Sequence, residues 1–82
     1  MYTVYALYNS ERDQIYIGQT KDLKNRLDLH RSGILKGYTS RGGGRWELVY
    51  TEEVESRQKA LVREKQLKSY RGREFVRKYI PR

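Results

Sequence analysis

The run Tyr2-Thr3-Val4-Tyr5-Ala6-Leu7-Tyr8 constrains this chain most, because aromatic, branched and other apolar side chains fall on both of its alternating faces. A strand apolar on both faces must be covered on both, which places it at the centre of a sheet. After the polar stretch Asn9-Ser10-Glu11-Arg12-Asp13, the segment Gln14-Ile15-Tyr16-Ile17-Gly18 resumes strand character, so the two runs predict a β-hairpin. A loop of Asn9 to Arg12 would pair Tyr8 with Asp13 and set Tyr5 directly opposite Tyr16 on one face. A slip of one residue would send those tyrosines to opposite faces.

Beyond Gly18 the period changes. Leu23, Leu27 and His30 recur at helical spacing, with Thr20 or Asp22 as N-cap and Gly33 as the stop. Residues Ile34 to Arg45, with four glycines, read as an irregular loop. Trp46-Glu47-Leu48-Val49-Tyr50-Thr51 predicts a third strand with Trp46, Leu48 and Tyr50 on one face. A helix from Ser56 to Tyr70 follows, with Ala60, Leu61 and Leu67 on its apolar stripe and Gly72 beyond its end. Phe75, Val76, Tyr79 and Ile80 form a last short helix closed by Pro81. The expected fold is α+β: a small three-stranded antiparallel sheet flanked by helices in the order β-β-α-β-α-α, as a single domain over residues 1–82.

A chain of 82 residues buries only about 60% of its unfolded surface and supports one core. With no cysteine and one histidine, disulfides, thiolate zinc sites, thiol nucleophiles and multi-histidine metal sites are excluded. No stretch approaches the ~20 apolar residues that cross a bilayer, and the N-terminus lacks a secretory pattern. The chain is therefore expected to be cytoplasmic, without a membrane partner. Eighteen Lys and Arg against ten Asp and Glu give a net charge of +8, of which +2 lies in residues 1–40 and +6 in 41–82. That surplus favours a polyanionic partner and leaves open whether chemistry follows.

Two positions depart from the apolar patterning. Arg26 and His30 lie within about 60° of Leu23 on the helical wheel, beside the buried stripe rather than opposite it. Glu64 falls in the middle of the second helix's stripe, where a carboxylate must be paired with a cation, hold a metal or line a wet cleft. Pairing with Arg26 or a lysine and a functional role are equally compatible with this placement.

The ordered set Val4-Tyr5-Ala6, Tyr16-Ile17-Gly18, Asp22-Leu23-x-x-Arg26-Leu27-x-x-His30, then Trp46 to Tyr50 and Ala60 to Lys68 about Glu64, resembles the GIY-YIG nuclease family over nearly the whole chain. It looks like the short stand-alone branch of that family, which is similar to the N-terminal nuclease domain of the bacterial excision-repair endonuclease. The first motif reads Val-Tyr-Ala instead of Gly-Ile-Tyr, Gln19 stands where repair nucleases carry lysine, and the family asparagine after the glutamate helix is absent. The resemblance implies metal-dependent hydrolysis of DNA phosphodiesters, in repair or recombination, with Mg2+ or Mn2+ held by Glu64. It implies Arg26 at the phosphate and Tyr5 and Tyr16 as the motif tyrosines, one of them activating water, and His30 takes a place in water activation or orientation. Arg41, Arg45, Lys65, Lys68, Arg71, Arg73 and Lys78 are expected to hold the DNA backbone. A partner protein would supply substrate choice. The alternative is a weakly catalytic or non-catalytic nucleic-acid-binding or adaptor module on the same fold.

Overall fold

The computed structural model describes residues 1–32 and 46–80, with the side chains of 29–32 left out. The order is β1 (Tyr2–Asn9), β2 (Gln14–Thr20), α1 (Leu23–Ser32), β3 (Trp46–Val54), α2 (Arg57–Lys68) and α3 (Tyr70–Arg77). The strands form one antiparallel sheet in the order β2-β1-β3. The expected α+β architecture is present, with β1 central as its two apolar faces require. Val4, Tyr5, Ala6 and Leu7 are each at most 2% exposed, so both faces of that strand are covered.

One face carries the core. Val4, Ala6 and Ile17 pack with Ala60 and Leu67 of α2 and Val76 of α3, and Tyr2, Ile15, Val49, Tyr50, Val54 and Phe75 close around them. The other face of β1 presents Tyr5, Leu7 and the fully buried Asn9.

The hairpin register differs from expectation by two residues. Tyr5 pairs with Gly18, Leu7 with Tyr16, and Asn9 with Gln14. The cause is the turn chemistry of Asn9, which stays in the strand while its side-chain oxygen accepts hydrogen bonds from the backbone N–H of Glu11 (3.0 Å) and Arg12 (3.2 Å). Asp13 completes the turn in the left-handed region, at φ 51°. A shift of two preserves the face, so Tyr5 and Tyr16 remain on one side as diagonal neighbours.

Three further corrections concern packing. A register irregularity opposite Ala6 and Leu7 makes Tyr50 pair with Ala6, but Leu48 with Leu7 and Trp46 with Asn9. Tyr50 therefore faces the helices while Trp46 and Leu48 share the face of Leu7. Leu61, expected on the buried stripe of α2, is 44% exposed; the stripe consists of Ala60 and Leu67 with Glu64 between them. Gly72 lies beyond the end of α2 as expected, but buried inside α3 and not in a terminating turn. A Cβ there would collide with Gln66 O and Leu67 Cα, so its missing side chain lets α3 pack directly against the end of α2. Ser69 serves as C-cap of α2 and N-cap of α3: its hydroxyl donates to Gln66 O at 2.6 Å and accepts from Gly72 N at 3.1 Å. The predicted loop of residues 34–45, the glycine stop at 33 and Pro81 lie outside the described residues.

Candidate active site

The site begins with a missing side chain. Gly18 on edge strand β2 is the cross-strand partner of Tyr5, and a Cβ added there would lie 2.7 Å from the Tyr5 hydroxyl, 2.8 Å from its Cζ and 3.1 Å from a ring carbon of Tyr16. Only glycine leaves room for the Tyr5 ring to cross the edge strand and meet Tyr16. The two rings are 6.2 Å apart between centroids and inclined by 36°.

Burial drives the Tyr5 phenol well above its ordinary pKa of 10. The adjacent Tyr16, a hydrogen bond between the two hydroxyls and the negative charge of Glu64 push it in the same direction, while the positive charge of Arg26 opposes them. Groups from β2, α1 and α2 thus act electrostatically on one phenol of β1.

Arg26 is oriented by the cap of its helix. Asp22 accepts from Asn25 N at 3.1 Å, Thr20 Oγ1 accepts from Asp22 N at 3.1 Å, and Arg26 N bonds to Asp22 O at 3.1 Å. Asp22 is thus the N-cap and Thr20 its support. Arg26 is half-buried beside Leu23 and Leu27, as its wheel position predicts. The backbone of His30 lies on α1, four residues on; its side chain lies outside the described ones.

Glu64 keeps 19% of its side chain exposed and forms an ion pair with Lys68 at 2.9 Å, one helical turn on. Of the pairings open from sequence, a lysine and not Arg26 is the direct partner. Lys65, Lys68, Arg71, Arg73 and Lys78 are exposed, whereas Arg41 and Arg45 lie outside the described residues. Among the described residues no cluster of three or more His, Cys, Asp or Glu occurs. A partly solvated carboxylate suits Mg2+ or Mn2+, hard cations that retain water and take further oxygen ligands from a phosphate. It does not suit zinc or a dedicated calcium cage.

Sequence reasoning missed the organising parts of this region. Arg63 donates to both carboxylate oxygens of Glu52, at 3.1 and 3.0 Å, and lies 5.6 Å from the Phe75 ring centroid, while Tyr50 donates to Glu52 at 2.7 Å. This network joins β3, α2 and α3 behind the Glu64 helix. Glu52 is one of three glutamates on β3, and what singles it out, the partner eleven residues away, is not contained in the strand's own pattern.

A small three-stranded sheet thus packs two tyrosines of neighbouring strands against each other, within electrostatic influence of an arginine on α1 and a glutamate on α2. Residues 1–79 match the GIY-YIG catalytic domain, and the chain belongs to that family. It is 31% identical over 80 residues to the UvrABC system protein C of Aliivibrio fischeri, a match covering 96% of this chain but 12% of that protein. It is 36% identical over 58 residues to a UPF0213 protein of Oceanobacillus iheyensis, covering 70% of this chain and 66% of the relative. The solution NMR structure of a UPF0213 protein from Bacillus halodurans shares 32% identity at a TM-score of 0.54, over 93% of this chain and 82% of that one.

Proposed function

We propose that this domain hydrolyses DNA phosphodiester bonds with a divalent cation, Mg2+ or Mn2+, as its cofactor. The observation that carries the proposal is the Tyr5–Tyr16 pair packed over Gly18 in a chain of the GIY-YIG family, with the charges of Arg26 and Glu64 acting on the Tyr5 hydroxyl. Glu64 would hold the cation, whose chemistry when bound is to polarise the phosphate and neutralise the leaving oxygen. Arg26 offers a forked donor to a phosphate oxygen on which charge develops.

We assign the two tyrosines different roles. Tyr5, whose ionisation burial disfavours further, acts as an O–H donor that orients Tyr16 and the attacking water. Tyr16, half-buried on the edge strand, activates the water, and His30 on α1 accepts the proton. The exposed Lys65, Arg71, Arg73 and Lys78 hold the backbone of the nucleic acid. We place the activity in the cytoplasm, in repair or recombination, with substrate choice completed by a partner protein.

The ion pair of Glu64 with Lys68 favours a second reading, a nucleic-acid-binding module in which the carboxylate is a structural anion. The two separate on one comparison: plain, nicked and branched DNA incubated with Mg2+ and wild-type protein or Glu64→Gln. Cutting by the wild type, lost in Glu64→Gln while binding persists, supports the enzyme. Binding without cutting by both proteins supports the module. In the enzymatic reading Arg26→Ala slows single-turnover cleavage about 100-fold or more while changing DNA affinity much less. An equal loss of binding and cleavage would remove Arg26 from its role at the transition state.

A further inference from the structure

Tyr70 stands apart from the other tyrosines. Tyr5 and Tyr16 pack together, Tyr8 donates to Asp13 at 2.9 Å, Tyr2 lies under the Lys21 ammonium, and Tyr50 and Tyr79 stack with Phe75. Tyr70 is 79% exposed, and among the described aromatic residues it alone makes no hydrogen bond, ring contact or cation contact. A single exposed aromatic residue is ordinary on a protein surface. Its position here is not.

Tyr70 is the first residue of α3, directly after Ser69, whose hydroxyl caps one helix and terminates the other. Buried Gly72 locks α3 against α2 two residues further on. The ring is therefore carried on a rigid corner. Exposed Lys65, Lys68, Arg71 and Arg73 surround it in the chain, opposed by Glu74 and by Glu64, which Lys68 already neutralises. The corner also lies near the chemistry. From Glu64, four helical rises and two further residues span at most about 14 Å. That is a reach of a few nucleotides at ~3.4 Å each along one strand.

A flat π-face standing free among cations matches the recognition of unstacked bases, in which the phosphate track is held by charge and each base lies on an aromatic ring. In continuous duplex DNA every base is already stacked on its neighbours, and a tyrosine at the surface gains nothing from it. We propose that Tyr70 is a stacking platform for an unpaired base near the scissile phosphate, so that the preferred substrate is DNA with a gap, flap or other single-stranded segment. This inference rests on nucleic acid being the substrate and adds the feature by which it is selected.

The test separates binding from cutting. Full-length Glu64→Gln protein, with Tyr70 intact or changed to Ala or Phe, is titrated with three fluorescent DNAs: continuous duplex, duplex with a short single-stranded gap, and the same gap made abasic. A 2-aminopurine placed in the gap reports stacking through quenching. The expected result is tighter binding to the base-containing gap than to either control. Tyr70→Ala should weaken it roughly 10-fold and abolish the quenching, whereas Tyr70→Phe retains both and binding to continuous duplex is unchanged throughout. Equal affinity for the base-containing and abasic gaps, or quenching that survives Tyr70→Ala, would overturn the proposal. Absence of cleavage by the wild type, with the Tyr70 dependence of binding intact, would instead sink the enzymatic reading and leave this one standing.

Discussion

The hydroxyl of Tyr5 is where the residue-scale physics of this domain concentrates. Its ionisation is raised above the ordinary 10 by burial first, so in the range above pH 10 the unfolded chain releases this proton while the folded protein keeps it. The stability contribution is complete below pH 10 and is lost as pH rises toward the folded value. Urea midpoints should therefore fall between pH 10 and 11.5, and fall less steeply in Tyr5→Phe; parallel slopes for the two proteins would contradict the assignment. Lys68 offers a second residue-scale measurement. An exposed i,i+4 ion pair contributes about 0.3–0.5 kcal/mol, so a cation can displace this lysine from Glu64 at small cost. In Lys68→Gln, Mn2+ binding followed by electron paramagnetic resonance without DNA should tighten about 2-fold or more, while unchanged binding would separate Lys68 from the cation site. That Glu64 is anomalous was legible in the sequence, because a carboxylate interrupts an apolar stripe. Which cation answers it was not, because that depends on rotamers one turn apart rather than on composition.

At the scale of elements, two glycines do opposite work from the one expected of a turn residue. Gly18 sits inside a strand and Gly72 inside a helix, where glycine is ordinarily destabilising. Each occupies a contact too close for a Cβ: the Tyr5 hydroxyl over Gly18 and the end of α2 over Gly72. Gly72→Ala presses on backbone, which cannot swing aside, and should cost about 3 kcal/mol or more in denaturant unfolding. Ser69→Ala removes a cap only and should cost about 1 kcal/mol. A Gly72→Ala protein as stable as wild type would mean that the α2–α3 corner is looser than described. The hairpin tells a related story. Its existence and central strand follow from alternating apolar residues, but its register turned on one asparagine side chain bonding to Glu11 N and Arg12 N. Such a bond shifts the loop by a residue without changing the hydrophobic pattern, so pattern alone could not place it. The face shared by Tyr5 and Tyr16 survived because a two-residue shift is invisible to a period of two.

For the whole molecule the relevant quantity is the distribution of the net +8 charge. Acidic side chains collect on β3 and its exit, at Glu47, Glu52, Glu53 and Glu55, next to Arg57 and Lys59 at the start of α2, whereas the end of α2, α3 and its C-cap carry the exposed cations Lys65, Lys68, Arg71, Arg73 and Lys78. DNA is expected along the helical side. Replacing Lys65, Arg71 or Arg73 singly by Gln should lower the slope of log K against log salt by about 1 each, and leave the single-turnover cleavage rate at saturating DNA nearly unchanged. A fall in that rate with no change in slope would move the residue from the backbone track into the reacting site. Among the described residues no helix is long and apolar enough to cross a membrane.

What the sequence determined by itself was everything carried by period and by residue type: three strands and their central member, the helical order, the surplus of cations, and the family likeness of Tyr5, Tyr16, Arg26 and Glu64. These follow from local patterns that persist whatever the neighbouring elements do. Only the tertiary structure decided which groups meet. It placed Tyr5 across a strand position that has no side chain, gave Glu64 to Lys68, turned Tyr50 toward the helices and Leu48 away, and left Tyr70 standing free beside a capped corner. Close approach and exposure are properties of pairs of elements, and no single segment of the chain contains them.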